Sequence, residues 1–75
     1  MSYLKEAHAE ALRLMYQAEI GRRKVNIDNL SSNSVGVAEH PDLIETLDKE
    51  IEKLSAAKDK LEALDDLVDP PQKYV

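Results

Sequence analysis

Leu47, Leu54, Leu61 and Val68 recur one heptad apart, and Leu43, Ile51, Ala57 and Leu64 fill the same helical face between them. A helix with so long an apolar seam is stable only when another helix covers it. The fold question therefore becomes where that second helix comes from.

Seventy-five residues make one domain at most, and a chain of this size buries only about 60% of its unfolded surface. Disulfides cannot reinforce it, because it has no cysteine, and zinc has only His8 and His40 as nitrogen ligands. Association with other chains is the remaining common device. The apolar fraction is 43%, with neither Trp nor Phe and with Tyr3, Tyr16 and Tyr74 as the aromatics, so the core is aliphatic. Abundant Leu, Ala, Glu, Lys and Asp with two glycines describe long helices.

The net charge of −5 is unevenly spread. Residues 39–69 hold eleven acids against Lys49, Lys53, Lys58 and Lys60, whereas residues 1–38 carry five bases and four acids. A surface of this kind repels nucleic acid, which needs clustered Lys and Arg. No signal-peptide pattern stands at the N-terminus and no run approaches the ~20 apolar residues of a membrane span, so the expected setting is a cytoplasm, or a virion if the chain is viral.

Along the chain, Ser2 suits an N-cap, and Leu4, Ala7, Ala11, Leu14, Met15 and Ala18 recur at spacings of three and four. Gly21 allows two continuations. Either the helix tolerates it at ~1 kcal/mol and runs through Val25 to about Leu30, or Gly21 is a C-cap and residues 24–37 form a short β-hairpin pairing Val25 and Ile27 with Val35 and Val37. Length favours the first: a helix over about 3–30 matches a second over about 41–68, so an antiparallel pair leaves neither end bare. Residues 31–40 are then the loop, Pro41 and Asp42 open helix two, and Asp69-Pro70-Pro71 ends it before an extended tail. The expected fold is all-α, a single helical hairpin.

A continuous first helix also carries a second apolar row, Leu12, Tyr16, Ile20, Ile27 and Leu30, roughly opposite the Leu4, Ala11, Ala18 stripe. A lone hairpin buries one face of each helix. The second row is accordingly expected to form a homo-oligomer interface, a two-fold dimer making a four-helix bundle being the most economical arrangement.

No motif for chemistry accompanies these helices. His8 lacks a Glu-x-x-His or HExxH context, and no serine stands in a recognisable triad. The one basic cluster, Arg22, Arg23 and Lys24, has no glycine-rich loop beside it and so is no P-loop. It suits either pairing with an acidic neighbour or, with Tyr16, an anion or small-nucleotide site between subunits. No cofactor or metal is expected, and no enzymatic activity.

The leading expectation is a small acidic helical module that regulates, adapts or inhibits another protein, a type common among phage- and mobile-element-encoded chains. An alternative is a structural virion part. The order of helix, Gly21-Arg22-Arg23-Lys24-Val25-Asn26-Ile27, hairpin, then helix from Pro41, with Leu12, Leu14, Met15, Gly21 and Val25 apolar or small, is similar in layout to the lambda-type head-completion proteins of tailed phages. It departs from them in lacking a tight hairpin turn and in its longer, more acidic second helix. That resemblance implies a place at a head-tail junction and requires β-structure at Val25 to Val37.

Overall fold

The computed structural model describes residues 3–32 and 42–68. These form two α-helices, α1 (Glu6–Ser32) and α2 (Asp42–Val68), each of 27 residues and packed against each other. No strand occurs among the described residues. Residues 24–32 lie inside α1, which runs unbroken through Gly21 with no positive φ. The β-hairpin alternative is thereby overturned over those residues, and 33–37 lie outside the described part. The layout shared with head-completion proteins loses its middle element with it.

Both helix bounds follow from local chemistry. Asp42 and Glu45 sit in the first turn of α2, where carboxylates favour the positive end of the helix dipole. α1 begins three residues later than the periodicity suggests. The Tyr3 amide donates to the Leu67 carbonyl at 3.0 Å, and the helix opens with the Ala9 amide donating to the Lys5 carbonyl at 2.9 Å. A last-turn carbonyl of α2 has no partner in its own helix, and capturing Tyr3 holds the incoming chain across the end of α2. Ser2, expected as the cap, lies outside the described residues, as do residues 33–40 of the expected loop, Pro41 and the expected tail from 69, while residues 31 and 32 belong to α1.

The seam of α2 matches its heptads. Leu43, Leu47, Leu54, Leu61 and Val68 are half-buried and Ala57 and Leu64 are buried, only 3% exposed. Ile51 is the exception, standing at 52% exposure, while Glu50 takes the inward place beside it.

Helix one reverses the expected roles of its two faces. Ala9 (2% exposed) and Arg23 (9%) are its buried residues, and Leu12, Tyr16, Ile20, Ile27 and Leu30 are half-buried on that side. The row expected to meet another chain is thus the row that meets α2. Ala7, Ala11, Leu14, Met15, Ala18 and Val25, expected to face α2, are exposed.

Size matching explains why α2 selects this side. Arg23 bonds Glu50, and steps of one heptad from that pair, forward on one helix and backward on the other, set Tyr16 against Ala57, Ala9 against Leu64, and Leu30 against Leu43. Tyr16 and Ala57 do line one groove. A large side chain meets a small one in two of these layers, an ion pair closes the third and two leucines the fourth. All four residues that are buried among those described belong to this set. Presenting the opposite face of α1 would give Ala57 and Leu64 mostly alanines and leave Glu50 without its guanidinium.

Charge divides the helices as well. α1 carries Glu6, Glu10, Glu19 and Asp28 against Arg13, Arg22, Arg23 and Lys24, and is neutral. α2 carries nine acids against four lysines. Among the described residues no helix is long and apolar enough to cross a membrane.

Candidate functional site

The polar feature that sits deepest is the bridge at mid-hairpin. Arg23 Nη1 donates to Glu50 Oε2 at 2.8 Å, and Arg23 Nε donates to Glu19 Oε1 one turn back on the same helix. The side chains of Arg23 and Glu50 are 10% and 14% exposed. The guanidinium, chiefly by hydrogen bonding, holds both carboxyls below the usual carboxylate range, against the opposing effect of desolvation. Glu50, then Glu19, raises Arg23 in turn, so the bridge stays ionised at neutral pH.

This geometry dissolves the basic cluster as a unit. Arg23 points into the hairpin with its donors engaged, while Arg22 and Lys24 are exposed and stand roughly 160° apart around the helix axis. Three cations adjacent in sequence do not converge on one anion. Tyr16 is likewise removed from them: its ring faces Lys60 Nζ, 6.0 Å from the centroid, in a groove of about 270 Å³ lined by Met15, Glu19, Lys53, Ala56 and Ala57. At that distance the cation-π attraction is at its outer limit.

A second ion pair ties the far end. Arg13 Nη2 donates to Asp65 Oδ1 at 3.4 Å, while Nη1 reaches Glu10 at 3.3 Å. It places a cation from the chain's own α1 beside the acidic last turn of α2, where acids oppose the helix dipole. Its exposure limits it to roughly 0–1 kcal/mol. His8 is exposed, and among the described residues no group of three or more His, Asp and Glu is arranged to hold a metal ion.

Among the described residues, two apolar surfaces stand open along the helix faces, apart from Tyr3 and Leu67 at the end of α2. The first is the outward face of α1, where Leu14, Met15 and Val25 are 57%, 56% and 58% exposed. The second is an edge of the hairpin, where Ile44 and Ile51 stand one heptad apart on α2, both exposed. Ile27 stands two heptads from Arg13, and Ile51 two heptads from Asp65, so the Arg13–Asp65 contact puts Ile27 on the same flank of the hairpin as Ile44 and Ile51 and extends this edge onto α1.

Periodicity marks Leu14, Met15, Val25, Ile27 and Ile51 as apolar-face positions but not what each faces, and it does not mark Ile44. Glu50 and Arg23 were missed as a pair, and their common signal is a charged residue interrupting each helix's inward heptad at the same height. No family model matches the chain, and neither curated proteins nor solved structures include a significant match.

Proposed function

We propose that this chain acts by association and not by chemistry: it is a small, acidic, helical protein-binding module that regulates, adapts or inhibits a target protein. One observation carries the reading. Among the described residues only three apolar side chains are buried, whereas seven large ones, Tyr3, Leu14, Met15, Val25, Ile44, Ile51 and Leu67, are more than 40% exposed. Large apolar side chains gathered on faces, and not scattered singly, mark surfaces that meet other chains. The arrangement also favours binding over catalysis, because the polar groups that converge satisfy one another in the Arg23 bridge and, among the described residues, no buried side-chain polar atom is left without a partner.

The isoleucine edge is the surface assigned to the target. It spans both helices, so it presents a shape only the folded hairpin has, and it is rimmed by carboxylates and lysines of α2, as an apolar centre with a polar rim requires. The test is affinity capture from the organism that carries the sequence, with wild type and the Ile44→Asp/Ile51→Asp double variant as parallel baits. A protein retained by the first and lost from the second, with helicity unchanged, supports the reading. Identical captures by both baits would reject the assigned surface.

A further inference from the structure

The outward face of α1 has its own heptad. Ala7, Leu14 and Gly21 alternate with Ala11, Ala18 and Val25 at steps of four and three, all six exposed and opposite the row that meets α2. We propose that this face seats a second copy of the chain, its α1 laid antiparallel about a two-fold axis. The proposal rests on the reading of the chain as an association module and names the occupant of one of its two open surfaces.

Self-complementarity identifies the occupant. Turn α1 end for end about a point midway between Leu14 and Ala18, and Leu14 of one copy meets Ala18 of the other, Val25 meets Ala7, and Ala11 meets Gly21. The two large residues each find a small one, and the two smallest meet where the backbones come closest. On one flank the same register places Glu10 beside Lys24 of the second copy, twice by symmetry, and Gln17 beside Gln17 at the axis; on the other flank Met15 meets Met15. A slip of one heptad either way separates Glu10 from Lys24. A parallel pairing sets Glu10 beside Met15 and Gly21 beside Gly21.

Two further observations point the same way. A Cβ at Gly21 would meet nothing within 4 Å, and its φ is negative, so the hairpin has no need of a glycine that weakens its helix; close approach by Ala11 of a second copy gives it one. The neutrality of α1 is the other. Pairing through it joins helices of no net charge and keeps the two acidic α2 helices on opposite outer sides, roughly 16–20 Å from the other copy's α1 and farther from each other.

Six layers, two of them built from alanine and glycine alone, make an interface at the small end of stable ones, with a dissociation constant on the order of 10–100 µM. Sedimentation equilibrium of the full chain across ~1 to ~500 µM is expected to show the mass doubling from 8.4 kDa. Ala18→Glu abolishes the doubling while keeping its helicity at low concentration. Because the chain has no cysteine, single variants treated with a short bismaleimide report the register: Gln17→Cys links to itself, Lys24→Cys does not, and a mixture of Glu10→Cys with Lys24→Cys links across. A monomer at every concentration overturns the proposal, as does equal self-linking at 17 and 24, the mark of a parallel pair. So does a monomer that holds a different protein and releases it on Ala18→Glu. None of these outcomes decides the target reading, which stands or falls on the isoleucine edge.

Discussion

Arg23 and Glu50 close the middle layer of the hairpin at 2.8 Å, filling with charge an inward place that its neighbouring layers fill with apolar side chains. A leucine pair there would pack as well, and buried ion pairs are often no stronger than their apolar replacements. What the pair adds is position. Sliding α2 by one heptad on α1 would set Arg23 against Ala57 or Leu43 and leave Glu50 facing Tyr16 or Leu30.

The bridge makes stability pH-dependent with a definite sign. Glu19 and Glu50 titrate below their ordinary value of 4.5 when folded, so their contribution is fully present above that value and is lost as pH falls through the lowered folded values. The difference between two proteins over the same change of pH is the informative quantity. Thermal melts at pH 7 and pH 3 are expected to show Glu50→Gln below wild type at pH 7, with the gap closing at pH 3. A gap of constant size would mean that the bridge does not sense Glu50 ionisation.

Leu64 is 3% exposed and faces Ala9, 2% exposed, so the layer tolerates little change in volume. Leu64→Ala is expected to cost roughly 2–5 kcal/mol, and Ala9→Leu about 1–3 kcal/mol from overpacking. Exchanging both residues keeps the volume of the layer, and urea denaturation should find the double variant more stable than the sum of the single losses. Simple additivity would place the two residues in separate layers.

Gly21 distinguishes stability of the hairpin from association. Gly21→Ala fits the helical φ and open space around it, and should stabilise the dilute hairpin by roughly 0.5–1 kcal/mol in thermal melts. Gly21→Leu keeps the helix but fills the closest approach of the proposed pair, so sedimentation should show its dimerisation lost. Equal association by both variants would move the contact away from Gly21.

The seam of α2 was legible in sequence because its outer positions are charged and its inner ones aliphatic. The error at Ile51 has a simple cause: a hydrophobic pattern prefers isoleucine to its neighbour Glu50, and only the guanidinium across the layer makes the acid the inward residue. Helix one was harder. It is apolar on two sides, and its inward row contains Arg13, Glu19, Arg23 and Asn26, which makes that row read as the wetter one. Hydrophobicity of a single helix could not rank the faces; the sizes and charges of the α2 layers do. Laying α1 antiparallel on α2 and requiring Tyr16 to meet an alanine and Arg23 an acid would have found the register.

Which side of α1 faces α2 is tested most directly by one comparison: circular dichroism at ~5 µM, below the proposed association, of Ile20→Asp and Leu14→Asp. Ile20 is half-buried on the α2 side and Leu14 is exposed on the opposite one, so Ile20→Asp is expected to lose most of its helicity by placing a charge in the apolar seam, while Leu14→Asp keeps the helicity and melting temperature of wild type. Unfolding by Leu14→Asp with Ile20→Asp intact would put the other face of the helix against α2 and contradict the account.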